Sequence, residues 1–452
     1  MSTILLWLRS DLRLHDHEAL EVAVRQARAG GGTVVPVYVV DPRVIGATTP
    51  LGWPKTGAFR LRFLLETLVD LRAALRTRGS DLVVRYGMPE AVLPVLAREV
   101  GATSCAYHEE ATDEETRTED AVELALAAMR IPCTSVWGHT LLHPDDLPFE
   151  IERLPVQFTA FRERVEVRAA SAAERAFRPE CAPRAVREAP AALPPLPDGL
   201  DVGTLPTFDA LGIAPPVDDP RATRRFAGGE TAGLARLARW TWEVGALPRY
   251  KETRNGLLLA DDASTLSPWL AHGALSPRRV FAEVQRWEAT HGRTEGSYWL
   301  VFELLWRDFF RFVALQRGTR LFALDGFSGR RQPWRTLGDA SARADLERWR
   351  TGTTGVPFVD AGMRELLHTG FTTNRMRQNV ASWLVKRAEI DWRTGAEWFE
   401  SQLVDYDPCS NWGNWAYLAG VGNDPRGDRT FDAARQASLY DPTGAFVRHW
   451  HS

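Results

Sequence analysis

The sequence predicts two architectures in series: a parallel-sheet α/β domain over residues 1–140 and an all-α domain over 221–452, joined by a connecting stretch, 141–220. Three observations predict this. In the first part, short apolar runs rich in β-branched residues alternate with helix-period segments. A Pro- and Ala-dense stretch, 179–220, interrupts both patterns. Beyond it, helical periodicity dominates and few strand-like runs occur.

The first strand is TILLWL (3–8), followed by a helical segment at 17–28 and a second strand, TVVPVYVV (33–40). Helical periodicity then covers 57–78, 89–99 and 114–130, with further strands at 82–85 and 104–107. Unbroken apolar strands separated by helices imply a Rossmann-like parallel sheet covered on both faces. Such a sheet binds ligands beyond the carboxyl ends of its strands. There is no GxGxxG and no GxxxxGK[ST], so ordinary dinucleotide or P-loop chemistry is not supported. The 179–220 stretch reads as a surface linker with stiff polyproline pieces. The second domain is expected to hold helices at 228–243, 277–291, 296–317, 357–369, 373–388 and 393–404.

Composition narrows the class. The 452 residues are 44 % apolar and 25 % charged, ordinary for a globular protein. No run approaches the roughly 20 apolar residues of a membrane span, and the N-terminus lacks a signal peptide's basic start and small-residue cleavage site. The four cysteines, Cys105, Cys133, Cys181 and Cys409, form no CxxC pair. Zinc and disulfide frameworks are therefore not expected, and a reducing cytoplasm is the simplest compartment. The net charge of −3 hides an asymmetry: residues 221–452 carry 32 Lys and Arg against 26 Asp and Glu, about +6, leaving about −9 for residues 1–220. The basic half also holds 14 of the 17 tryptophans. A basic, aromatic half points to a polyanion partner.

The densest candidate region is 371–431. It holds Trp383, Trp392, Trp398, Trp412 and Trp415, interleaved with Arg375, Arg377, Lys386, Arg387 and Arg393. An acidic-amide loop follows, with Asp405, Asp407, Asn411 and Asn414. Indoles mixed with fixed cations and amides suit a large, flat, partly anionic ligand, either a folded aromatic cofactor with phosphates or nucleic acid. Upstream, Ala263-Ser-Thr-Leu-Ser267 runs into Pro268, a residue suited to the first turn of a helix. Hydroxyls beside unpaired helix N–H groups form either a phosphate site or an ordinary cap. Glu303, Trp306 and Arg307 stand at i, i+3 and i+4 and share a helix face, as do Asn374, Arg377 and Gln378. Arg377 has two candidate partners, Asp405 and Asp407. His272 and His368 are isolated and read as core or solvated histidines. No Ser/His/Asp triad and no metal cluster is credible.

Together these segments resemble the photolyase/cryptochrome flavoprotein family, most closely its cryptochrome-DASH branch. The resemblance runs through LLWLRSDLRLHDHEAL near the start, WPKTGAFRLRFLLETL (53–68), YKETRNGLLLADDASTLSPWLAHGALSPR (250–278) and ELLWRDFFRF (303–312). It continues through 354–386, 391–415 and AGVGNDPRGDRTF (419–431). It implies an α/β antenna domain and an all-α domain holding FAD bent into a U. In that reading Tyr250, Ser264, Thr265 and Ser267 hold the FAD phosphates, with Leu266 in the same loop and Arg307 among the cofactor contacts. Ala263 stands where relatives usually carry Thr or Ser. Arg377, Asp405 and Asp407 surround the isoalloxazine, Arg377 pairs with Asp405, and Asn411 lies against flavin N5. Trp415, Trp392 and Trp334 resemble the electron-transfer chain to the surface.

The same resemblance places Glu303, Trp306, Arg307 and Asn374 against a flipped pyrimidine dimer, with Glu303, Asn374 and Asn411 as catalytic residues. Gln378 and Tyr417 stand where duplex-repairing photolyases carry Met and Trp. Less stacking gives less energy to offset extruding a lesion from a duplex, which costs a few kcal/mol, so single-stranded DNA is the expected substrate. Glu114, with Glu115 as the alternative, matches the glutamate that holds methenyltetrahydrofolate as antenna. The implied activity is blue-light repair of cyclobutane pyrimidine dimers by a monomer without metal. The alternative is a blue-light receptor using the same flavin and tryptophans. Repair of (6-4) photoproducts ranks lower, because the 374–376 segment supplies no histidine.

Overall fold

The computed structural model describes residues 2–330, 332–426 and 429–451. Gly427 and Asp428 of the 419–431 motif lie outside the described residues. The first half is a five-stranded parallel sheet of order β3-β2-β1-β4-β5. Its strands are β1 (Thr3–Leu8), β2 (Thr33–Val40), β3 (Val83–Tyr86), β4 (Ala102–His108) and β5 (Cys133–Val136). Between them run α1 (Glu18–Ala29), α2 (Ala58–Arg76), α3 (Pro89–Val100) and α4 (Asp113–Ala127). β1 is buried at every position, as an unbroken apolar strand between two helical layers must be. Strand order reverses between β1 and β4, which opens a crevice at their carboxyl ends. β5 has no counterpart in the sequence reading. Its CTSV is half-buried throughout, so no apolar run marks it.

The connecting stretch divides in two. α5 (Phe158–Val165) buries Phe158, Phe161 and Val165 in the core of the helical half. The Pro-rich part then returns along the sheet, where the Val84 N–H donates to the Val202 carbonyl at 2.8 Å. A bare sheet edge is a pairing hazard, and this extended segment covers it.

The second half is helical, centred on Glu295–Arg317. That helix starts at a capping box between Thr294 and Ser297, which satisfies two otherwise orphaned donors. Around it pack Pro277–His291, Pro357–Thr369, Asn374–Ser382, Trp392–Gln402 and Pro408–Ala419. Among the described residues, no helix is long and apolar enough to cross a membrane.

Buried polar groups join the halves. Asp308 accepts the N–H groups of Leu141 and Leu142 at 3.0 and 2.8 Å. Arg278 pairs with Asp16 at 2.9 Å and Glu18 at 2.8 Å. Gly273, at φ +64, sits so close to the Ser10 carbonyl that a Cβ there would lie 1.8 Å from its oxygen. Burial raises the Asp308 carboxyl from 3.8 to about 7, against the pull of its two backbone donors. The folded state therefore holds more protons than the unfolded state between those values, and stability falls as pH rises through that window. Melting measured at pH 5 and pH 8 is expected to show this loss, and Asp308→Asn to lessen it. An unchanged slope in the variant would assign the loss to other carboxyls.

Candidate functional site

Tyr250 is buried at the start of a one-turn helix, Tyr250–Thr253, and burial holds its phenol above the usual range. Its hydroxyl interacts with Ser264. Ser264 and Thr265 lead into the short helix Ser267–Ala271, with Leu266 buried beneath. Thr265 has φ +51, a left-handed conformation that costs a β-branched residue on the order of 1–3 kcal/mol. Arg236, which the sequence reading did not single out, holds this loop in shape: it donates to the carbonyls of Ser264 (3.0 Å), Ala260 and Ala263 (both 3.1 Å). Ala263 thus acts through its backbone. At the far end of the short helix, His272 Nε2 lies 3.2 Å from the Val404 carbonyl, next to Asp405. His272 is half-buried, and burial lowers it to about 4. His368 is half exposed and lies near Asp219.

Arg377 pairs with Asp405, the partner that the resemblance implies, and not with Asp407. Arg377 Nη2 reaches both carboxylate oxygens, at 2.9 and 2.8 Å. Asp407 is engaged elsewhere: it caps Pro408–Ala419 through the Ser410 N–H at 2.7 Å and accepts from Arg311 at 2.5 Å. Burial opposes its charge, but Arg311 and Arg307 outweigh that cost and keep its carboxyl below the usual range. Asn411 and Trp415 stand one turn apart on the same helix. The Asn411 amide nitrogen donates to the Ala396 carbonyl at 3.0 Å, which leaves its oxygen as the group to face a ligand.

Arg307 departs from its expected place. Although it shares a helix with Glu303 and Trp306, its guanidinium turns to the domain junction, donating to the carbonyls of His139 and, at 3.0 Å, Leu270. Two carbonyls from separate segments satisfy it there, so it stands apart from the Glu303–Trp306 surface. Glu303 instead pairs with Arg254. Trp306 stacks on Phe158, with ring centroids 3.8 Å apart and planes at 11°, and meets Tyr417 edge-on at 6.0 Å. Arg426 donates to the Tyr417 hydroxyl at 2.7 Å. Gln378 accepts from Arg375 at 2.8 Å, and Arg375 also reaches Asn255 at 2.9 Å. Asn374 is exposed at the start of the same helix. Arg254, Arg375 and Arg426 therefore rim a half-buried carboxylate, indole and phenol. Arg375 stood out in the sequence among the cations interleaved with the tryptophans, whereas Arg254 and Arg426 carried no signal beyond lying in 250–278 and 419–431.

Trp415 is buried against Phe399 at 5.1 Å and Trp349 at 6.1 Å. Gly395 makes the space: a Cβ there would lie 2.2 Å from Trp415 Cη2. Gly395→Ala is expected to displace Trp415 and cost about 1–3 kcal/mol by overpacking, read by urea unfolding; an unchanged midpoint would mean that the indole moves freely. Trp392 is fully buried and donates to the Leu324 carbonyl at 3.1 Å. Trp334 precedes Arg335, whose backbone pairs with Ile390, so Trp334 runs beside the segment that leads into Trp392.

A cavity of about 900 Å³ lies at the carboxyl ends of β1 and β4, between the halves. Arg9, Lys55, Arg60 and Arg311 line it, with Glu114 and Glu115. Glu114 is at the rim, 69 % exposed and paired with Lys55. The Glu115 carboxyl is raised by burial to about 7, although Thr112 donates a hydrogen bond to it. Deeper in the sheet domain, Asp11, His17 and His108 meet, a grouping that the sequence did not reveal. His17 Nδ1 accepts the Leu20 N–H at 3.0 Å, which puts the neutral ring's proton on Nε2, the atom facing Asp11. His108 Nδ1 faces the same carboxylate at 2.8 Å. This is the pattern of a hydrogen-bonded core rather than of open metal ligands.

Residues 4–181 match the DNA photolyase family, and residues 299–452 match the FAD-binding domain of DNA photolyase. Cryptochrome DASH of Gloeobacter violaceus is 51 % identical over 99 % of this chain and 85 % of its own length. This chain belongs to the cryptochrome-DASH branch of the photolyase/cryptochrome family. Cryptochrome DASH of Danio rerio is 45 % identical over 99 % of the chain and 82 % of its own length. The crystal structure of a Synechocystis cryptochrome superposes with a TM-score of 0.91 at 45 % identity, covering 100 % of this chain and 88 % of that one. A bacterial class III photolyase from Agrobacterium tumefaciens gives 0.78 at 27 % identity, covering 100 % and 86 %. The family's FAD-binding domain makes FAD the cofactor of this DASH protein. The donor set fits that group: hydroxyls in the strained 264–267 loop suit phosphates, and the fixed Arg377–Asp405 pair and the Asn411 oxygen suit a flat heterocycle.

Proposed function

We propose that this DASH protein repairs cyclobutane pyrimidine dimers, mainly in single-stranded DNA, under blue light. Bound FAD, reduced and photoexcited, would supply the electron that opens the dimer's two C–C bonds and takes it back afterwards. The protein's own residues bind and orient. Arg254, Arg375 and Arg426 meet the phosphates that flank the lesion. Trp306, backed by Phe158, offers a stacking face, and Glu303 a carboxyl to the base edge. Asn374, exposed at its helix start, adds an amide. Tyr250 and the 264–267 loop would hold the FAD phosphates, and Asn411, with its oxygen free, would accept a hydrogen bond from the reduced ring. Trp415, Trp392 and Trp334 would carry electrons in from the surface to restore the reduced cofactor. Methenyltetrahydrofolate would occupy the interdomain cavity, with Glu115 better buried than Glu114 to hold its ring.

The observation that carries the strand preference is the pairing of Gln378 with Arg375 and of Tyr417 with Arg426. Both side chains are tied to rim cations, and they leave Trp306 as the large stacking surface. Extruding a duplex lesion costs a few kcal/mol that this pocket offsets poorly. The test is anaerobic repair by the reduced holoprotein under blue light, single strand against duplex. Repair of the single strand with little of the duplex is expected. Repair of neither, with FAD bound and photoreducible, would overturn the lyase reading in favour of a light receptor.

A further inference from the structure

We propose that Trp412 is a second exit of the tryptophan chain, carrying oxidation from Trp392 into the interdomain cavity instead of out through Trp334. The proposal rests on the electron-transfer reading of Trp415 and Trp392 given above. Among the described residues, the aromatic ring paired with Trp392 is that of Trp412, with centroids 5.7 Å apart and planes at 78°. An edge-to-face pair at that spacing is in van der Waals contact. Tunnelling weakens steeply with edge separation, so this is a favoured step for an electron.

The two indoles differ in where a positive charge can rest. Trp392 is fully buried, and its N–H is bound to a backbone carbonyl that cannot take a proton. An unpaired charge there is costly. Trp412 lines the cavity and donates its Nε1–H to the Tyr406 hydroxyl at 3.3 Å. Tyr406 in turn interacts with the Glu400 carboxyl. Asp407, Glu110 and Glu115 line the same cavity, opposed by Arg311 and by Arg60, which lies 4.7 Å over the Tyr406 ring. The phenol, which accepts from Trp412 and meets the Glu400 carboxyl, is placed to relay a proton away from the oxidised indole.

The step balances within the chain. Bound FAD in its oxidised form would supply the oxidant on excitation; Trp415 would give up the electron and be refilled by Trp392. One electron then passes from Trp412 to the oxidised Trp392, which returns to its closed-shell form. The Nε1 proton of Trp412 moves to the Tyr406 oxygen while the phenolic proton moves to the Glu400 carboxylate. A neutral tryptophanyl radical remains, and return of the electron must await return of the proton.

The test uses the FAD-loaded full chain and its Trp415→Phe, Trp334→Phe, Trp412→Phe and doubly substituted Trp334→Phe/Trp412→Phe forms. Radical yield after a blue pulse is read by transient EPR and absorption. Each exit variant is expected to keep about half of the long-lived radical, and the double variant to fall about tenfold, to the level of Trp415→Phe. Tyr406→Phe should leave the radical protonated, seen as the cation's absorption spectrum and a shorter lifetime. If Trp334→Phe alone falls as far as Trp415→Phe, Trp412 is no exit and the proposal fails. If Trp415→Phe itself changes nothing, the underlying electron-transfer reading fails instead.

Discussion

Glu303→Ala is expected to lower dimer repair about a hundredfold while FAD stays bound. Glu303 sits half-buried on the Glu295–Arg317 helix, with Arg254 as its ion-pair partner. Burial raises its carboxyl, and Arg254 only partly offsets this. A raised carboxyl beside a stacking indole is placed to share a proton or hydrogen bond with a base edge. The alanine variant removes that group, leaves Arg254 without its carboxylate and takes a nearby charge from Tyr250, yet it breaks neither the Tyr250–Ser264 contact nor the Arg377–Asp405 pair. Repair quantum yield on a single-stranded dimer, beside the flavin-to-protein absorbance ratio, separates the two roles. Glu303→Gln, which keeps shape and one hydrogen bond, should fall between wild type and alanine. Loss of flavin from the alanine variant would assign Glu303 to the cofactor.

Asp405→Ala is expected to release FAD and to destabilise the helical half by about 3–5 kcal/mol, the cost of removing one partner from a buried pair. The Asp405 side chain is 2 % exposed, and Arg377 bonds to both of its oxygens. Without it, the hydrogen bond that Arg377 keeps among the described residues is to the Thr372 carbonyl, at 2.9 Å. Urea unfolding and flavin content together check this. Asp407→Ala is the informative contrast, because that carboxylate answers to Arg311 and the interdomain cavity. Asp405→Ala with stability and flavin content intact would mean that the pair contributes to neither.

Much of this architecture could be read from local pattern. The runs TILLWL and TVVPVYVV are buried strands because unbroken apolar sequence suits only a sheet covered on both faces. The helices at 277–291 and 393–404 follow from period alone. β5 was not legible, since an edge strand of Cys, Thr, Ser and Val carries no apolar signature. Nor was α5, whose phenylalanines find their partners on a helix more than a hundred residues away.

At the site the division is sharper. Sequence by itself determined the family, the sheet-then-helix order and the residue types of the proposed cofactor site, because motif spacing and side-chain chemistry are written locally. The Arg377–Asp405 pair was already implied by the family motif, but the tertiary structure decided the other partners. It gave Asp407 to Arg311, turned Arg307 to the junction, and set Trp412 against Trp392. Helical period states which face a side chain occupies, but a long guanidinium or an indole settles where packing and unsatisfied carbonyls meet it, and those come from segments distant in the chain.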